Sequence, residues 1–241
     1  MRILVTNDDG IRSEYLAMLA EAAKALGEVT VIAPSQQCSA MSHRITLYRP
    51  MEFHPVEDFP VEGVRAYRID ATPADCVRIS FHGLFEKGEE PELVLSGIND
   101  GANCGYDILY SATVGAAMEA VLYHVPAICF SQRRGGCDLV MKEHLSSILE
   151  ELVSRRLGQG EVWNVNFPCC SPEEFRGILC DRKPAQTPFF DDVYYRQERE
   201  EGGWDILLKA KEVTGAEEGS DIQALADGYI SVGVIRNKVM G

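Results

Sequence analysis

Residues 1–10 read Met1-Arg2-Ile3-Leu4-Val5-Thr6-Asn7-Asp8-Asp9-Gly10. Ile3, Leu4 and Val5 make a short unbroken apolar run, the pattern of a strand buried on both faces at the centre of a parallel sheet. The run ends in two adjacent carboxylates and a glycine. Ligands of open α/β sheets bind beyond the carboxyl ends of the strands, so Asp8 and Asp9 fall where a ligand would sit. Neighbouring carboxylates repel each other, and a divalent cation relieves that repulsion. Asn-Asp-Asp-Gly is also good turn chemistry, so this segment taken alone leaves a metal site and a surface turn both open.

Outward from this strand the chain alternates. Leu16, Leu19, Ala20, Ala23 and Leu26 recur at helical spacing, predicting a helix over Ser13–Leu26 that Gly27 ends. Val29–Ala33 reads as a strand stopped by Pro34, and Val64–Ile69 as another with Asp70 at its end. Thr72 is a good N-cap with Pro73 at the first helical position. Leu93–Ser96 is a strand followed by a glycine- and asparagine-rich loop, Gly97–Gly105. A helix begins near Thr113, Ala127–Phe130 is a strand, Leu145–Leu152 lies in a helix and Val162–Val165 is a strand. This alternation predicts an α/β fold, a Rossmann-like three-layer sandwich with a mostly parallel sheet.

The last third differs. From Phe175 the pattern is strand-like, and Tyr194-Tyr195 can pair with Trp204–Leu208 across Gly202-Gly203 as a hairpin. Such an arm is too small to fold alone and is expected to pack on a partner subunit. A short helix after Asp221 and a final strand, Tyr229–Ile235, follow. The expected organisation is a core over 1–180 and a C-terminal arm over 181–241 that completes a single domain.

The 241 residues carry 23 Lys and Arg against 37 Asp and Glu, a net charge of −14. This balance argues against a protein that wraps nucleic acid, which needs a basic face. A small phosphorylated substrate stays compatible, because a bound metal supplies local positive charge. None of the 8 cysteines forms a C-x-x-C pair, so buried free thiols are expected rather than a zinc ribbon or a redox pair. No signal peptide or transmembrane stretch is visible, and a reducing cytoplasm is the expected compartment.

Three loops follow strands and should open on one edge of the sheet: Asn7–Gly10, Ala33–Ser42 and Ser96–Gly105. Carboxylates, a hydroxyl and an amide carbonyl together make an all-oxygen site suited to Mg²⁺ or Mn²⁺ rather than zinc. In the third loop Gly97, Gly101 and Gly105 leave backbone amides open to an anion, and Asn99 and Asn103 add side-chain amides. Ser111 and Thr113 stand at a helix start, where free N–H groups favour phosphate; they also serve as plain caps. His43 can reach such a site as a proton donor or be an ordinary loop residue. Asp70 and Asp75 are candidates for supporting groups, with capping sufficient for Asp75, and Arg133-Arg134 is a charged turn.

The combined segments resemble the SurE survival proteins, which are 5′/3′-nucleotidases. The resemblance rests on Ile3–Gly10, Ala33-Pro34 with Ser39 and Ser42, Thr72–Val77, Ser96–Gly105, Tyr110–Glu119, Asn164–Pro168 and Glu218–Val232, in order along the whole chain. It implies a metal-dependent phosphomonoesterase acting on nucleoside monophosphates. It implies Asp8, Asp9, Ser39 and Asn99 as ligands of one divalent cation, Mg²⁺ or Mn²⁺, with Asp8 and Asp9 catalytic, and Asn103, Ser111 and Thr113 as phosphate-binding groups. It also implies a cytoplasmic homodimer or tetramer with an exchanged C-terminal arm. The chain departs from the family at Ala40 (usually Gly), His43 (usually Asn), Ala112 (usually Gly) and Ser13-Glu14-Tyr15 (usually Ala-Pro-Gly).

Hydrolysis of a phosphate monoester is the expected reaction, with an aspartyl-phosphate on Asp8 ranked below direct attack by water because no lysine stands near the loops. A phospho-acceptor signalling module would need a lysine after a later strand, and none is apparent. A nucleotide-binding protein without turnover, or a general phosphatase or exopolyphosphatase, is the alternative.

Overall fold

The computed structural model describes residues 1–213 and 215–239. The apolar run of residues 2–6 is strand β1 (Arg2–Thr6), buried from Ile3 onward. Helix α1 (Glu14–Ala23) follows, capped by Ser13, whose hydroxyl accepts from the Leu16 amide. It ends short of the expected Leu26. Gly27 is therefore not its stop signal; a side chain there would collide with the Met1 carbonyl, so glycine is needed for close passage of the chain. Strand β2 (Glu28–Pro34), a short strand β3 (Phe53–Pro55) and β4 (Arg65–Ile69) come next. Helix α2 (Pro73–Phe81) opens with a reciprocal cap between Thr72 and Asp75.

Strand β5 (Leu93–Asp100) runs beyond the expected Ser96. Its pairing shifts register between Ser96 and Asn99, at a cis Gly97–Ile98 peptide, so part of the expected loop is an irregular strand. A single 3-10 turn (Tyr106–Leu109) precedes α3 (Ala112–Leu122), then β6 (Ala127–Gln132), α4 (Leu139–Ser154) and β7 (Glu161–Phe167). The remaining elements are β8 (Gly177–Arg182), β9 (Phe190–Glu198), β10 (Trp204–Glu212), α5 (Asp221–Ala226) and β11 (Tyr229–Arg236).

The main sheet has 9 strands in the order β3-β4-β2-β1-β5-β6-β7-β11-β8. From β4 to β7 every neighbouring pair is parallel, while β3 and β11 are antiparallel to β4 and β7. One apolar cluster joins α1 and α4 to one sheet face and a second joins α2 and α3 to the other, giving the expected three layers. The chain moves from β1 to β2 on one side and returns to β5 on the other. The carboxyl ends of β1 and β5 therefore flank a topological switch point, where such sheets bind ligands.

The expected hairpin forms, with Leu207 opposite Tyr195 and Leu208 opposite Tyr194. It leaves the body with Tyr194, Tyr195, Trp204, Ile206, Leu207 and Leu208 all exposed. The final strand pairs antiparallel with β7 and parallel with β8, extending the main sheet. The boundary expected at residue 180 falls within β8. All 8 cysteines are free, and burial pushes the Cys38 thiol up to about 11.

Candidate functional site

The three loops meet at the switch point. Asn7, fully buried, closes the first turn on itself: its amide donates to the Gly10 carbonyl and its Oδ1 accepts the Gly10 N–H, each at 3.1 Å. This Asx turn presents Asp8 and Asp9. Asp8 is 3% exposed. Burial first, and the Asp9 charge second, push its carboxyl up to about 7, while Thr113 pulls it back. Thr113 Oγ1 donates to Asp8 Oδ1 at 2.8 Å. Asp9 lies further out and accepts from Gln37 Nε2 at 3.2 Å and from the Asp100 amide at 2.9 Å.

The second loop is pinned where it begins, by the Cys38 amide donating to the Asp8 carbonyl at 2.7 Å. Ser39 follows, exposed and with no hydroxyl partner among the described residues. Ser42 turns away from the carboxylates: its hydroxyl donates to the Leu109 carbonyl at 2.8 Å and its amide to the Tyr110 carbonyl at 2.9 Å. Asn99, at the end of β5, donates through Nδ2 to the Gly101 carbonyl at 2.7 Å, which leaves its Oδ1 free to face a cation.

Asn103 is 6% exposed and held from three sides. Its Nδ2 donates to Ser131 Oγ at 2.8 Å, its backbone amide to Asn166 Oδ1 at 2.8 Å, and its carbonyl accepts from Asn164 and Asn166. Ser111 caps α3 by accepting from the Val114 amide at 3.1 Å, leaving its own proton to donate. The Thr113 hydroxyl is engaged with Asp8, so this residue meets the carboxylates before any anion. The start of α3, which carries partial positive charge, also reaches Asp8 through the Thr113 backbone.

Ser131, Asn164 and Asn166 did not stand out as site residues from the sequence. Their signal is polar side chains two apart in a buried strand, which places Asn164 and Asn166 on one face of β7. His43 is not directed to the helix start: its Nε2 lies 2.7 Å from Glu119 Oε2, far along α3. Asp75 caps α2 and accepts the Thr46 amide, and Asp70 pairs with Arg49 at 2.8 Å, so both are structural. Arg133 pairs with Glu212, and Arg134 donates to the Asp100 carbonyl at the rim.

Among the described residues no cationic side chain pairs with Asp8 or Asp9, and no three His, Cys, Asp or Glu side chains converge as a metal site. The set here is two carboxylates with neutral oxygens from Asn99 and Ser39. Two negative charges without a cation fit one hard divalent ion, and the all-oxygen chemistry fits Mg²⁺ or Mn²⁺.

The family model for survival protein SurE matches residues 3–187. The 5′-nucleotidase SurE 1 of Thermus thermophilus is 39% identical over 96% of this chain and 90% of that protein. The 5′-nucleotidase SurE of Gemmatimonas aurantiaca is 39% identical over 96% and 91%. The crystal structure of the SurE protein of Aquifex aeolicus superposes with a TM-score of 0.81 at 32% identity, covering 98% of this chain and 93% of that one. A match of this length, with the same fold throughout, means that the chain belongs to the SurE survival-protein family.

Proposed function

We propose that this chain is a metal-dependent phosphomonoesterase that releases phosphate from nucleoside 5′-monophosphates and, as a second class, 3′-monophosphates. One observation carries the reading: Asp8 and Asp9 stand side by side at the switch point, without a cationic partner among the described residues, before the start of α3. The relatives' names supply the substrate class.

Asp8, Asp9, Ser39 and Asn99 would hold one Mg²⁺ or Mn²⁺. When bound, such an ion polarises a phosphate oxygen and lowers the pKa of water. The rest is done by the protein. Thr113 orients Asp8 through its hydroxyl. Asp9, less buried, is the carboxylate available to orient or deprotonate the attacking water. Ser111, the remaining N–H of the Asn103 amide, Thr113 and the positive end of α3 stabilise charge on the transferring phosphoryl group. Buried Ser131, Asn164 and Asn166 keep Asn103 from turning away.

The exposed apolar hairpin is the surface offered to a second subunit, in a homodimer or tetramer with exchanged arms. Residues 1–180, with α5 and β11 folded back on them, form the catalytic core. No helix among the described residues is long and apolar enough to cross a membrane, and we place the protein in the cytoplasm.

The test is phosphate release from a panel of 5′- and 3′-nucleoside monophosphates with EDTA, Mg²⁺ or Mn²⁺, beside Asp8→Asn and Asn99→Ala. Release that needs metal and is lost in both variants supports the reading. Nucleotide binding without release in any metal would turn it into a binding protein.

A further inference from the structure

We propose that His43 is a positioning residue for the metal site: through Glu119 it holds the loop bearing Ser39 against α3. The inference rests on the reading of Asp8, Asp9 and Ser39 as cation ligands.

The loop from Cys38 to Thr46 has no regular structure of its own. Two of its residues, Ala40 at φ 57° and Ser42 at φ 53°, occupy the left-handed region without being glycine. Such backbone persists only where its surroundings over-determine it. The holds are visible. The Cys38 amide donates to the Asp8 carbonyl, Ser42 bonds to Leu109 and Tyr110, and the Thr46 amide rests on the Asp75 carboxylate. Gly115 lacks the side chain that would keep the loop off the helix; a Cβ there would meet Ser42 and His43.

His43 adds a hold on a buried carboxylate of α3. Glu119 is 2% exposed. A buried carboxylate must be paired and hydrogen-bonded. Its Oε1 accepts from Arg78 Nη1 at 3.1 Å and from Tyr123 Oη at 3.0 Å, and its Oε2 lies 2.7 Å from His43 Nε2. His82 in turn meets Tyr123 Oη at 3.0 Å. Arg78, His82 and Tyr123 belong to α2, α3 and their ends. His43 is the member of this network that lies on the loop. Glu119 stands eight residues beyond Ser111 on the same helix, about 12 Å along its axis. The imidazole is therefore aimed away from the phosphate end of α3. It cannot serve there as a proton donor, but it anchors the segment that ends four residues after Ser39.

The experiment measures Mn²⁺ binding to metal-free protein by calorimetry, together with 5′-AMP hydrolysis as a function of Mn²⁺. Wild type is titrated first, and failure of wild type to bind Mn²⁺ defeats the metal reading itself. Given wild-type binding, His43→Ala should weaken Mn²⁺ about tenfold and raise the half-activating Mn²⁺ concentration equally, with kcat at saturating metal within about twofold of wild type. His43→Gln, whose amide reaches as far as Nε2 and always donates, should restore both. Unchanged Mn²⁺ affinity in a folded His43→Ala, even with lowered thermal stability, would overturn the proposal. So would a collapse of kcat at saturating Mn²⁺ and substrate, which would make His43 a proton donor.

Discussion

Substituting Gly115 by alanine sets two physical effects against each other. In a helix interior alanine is favoured over glycine by about 1 kcal/mol, so helix propensity alone predicts a more stable protein. The added Cβ, however, would stand 2.7 Å from the Ser42 carbonyl carbon and 2.9 Å from His43 Cα. Ordinary carbon contacts begin near 3.5 Å, so the loop would have to retreat by about 1 Å. That movement breaks the two bonds of Ser42 to Leu109 and Tyr110, at about 1 kcal/mol each. Residual overpacking adds about 1–3 kcal/mol. After the helix gain is credited, Gly115→Ala should lose about 2–4 kcal/mol of stability, read from urea denaturation curves. Because the displaced loop carries Ser39, Mn²⁺ binding should weaken as well. A gain of stability with unchanged Mn²⁺ affinity would refute the packing argument.

Three further outcomes are expected. Ala40→Gly relieves a left-handed backbone at φ 57°, worth about 1–2 kcal/mol, against about 0.4–1 kcal/mol of added unfolded-state entropy; a net gain of about 0.5–1 kcal/mol should appear as a higher urea midpoint, and a lower one would contradict strain at this position. Asn166→Ala leaves the buried Asn103 amide without its acceptor, which should cost about 1–3 kcal/mol and raise KM for 5′-AMP more than it lowers kcat; an unchanged KM would separate Asn103 from substrate. For Glu119, burial raises the carboxyl, but His43, Tyr123 and Arg78 outweigh it and hold it below the ordinary range. A depressed acid stabilises the fold above its unfolded pKa and loses that contribution as pH falls through the folded value. The stability gap between wild type and Glu119→Gln should thus be largest near neutral pH and close in acid; a gap that widened in acid would contradict it.

Local signals were legible in the sequence, and distant pairings were not. The apolar run ending at Asp8, the Thr72–Asp75 cap and the Gly202-Gly203 hairpin depend on neighbours within a few residues, and each appears as expected. The grip of Asn166 on Asn103 spans 63 positions and that of Glu119 on His43 spans 76. Such pairs depend on strand order and helix placement, which periodicity does not encode. The three-residue strand Phe53–Pro55 is too short to show alternation. Gly27 misled because a glycine that serves close passage looks the same as one that ends a helix. The partners of the final strand, β7 and β8, were not legible either, because the arm stands between them and it in the sequence.

The two apolar layers lie on opposite faces of the sheet, whereas Asp8, Ser39, Asn99 and Asn103 lie at its edge. Apart from Thr113 and its neighbours on α3, the side chains proposed to meet a ligand lie outside the two apolar layers. Substitutions in the connecting segments therefore reach the carboxyl end of the sheet without entering either apolar layer. Ala40 and His43, two departures from the family pattern, lie in one such segment. The architecture separates inheritance of the fold from inheritance of substrate preference, so related chains can diverge in what they hydrolyse while keeping the same frame.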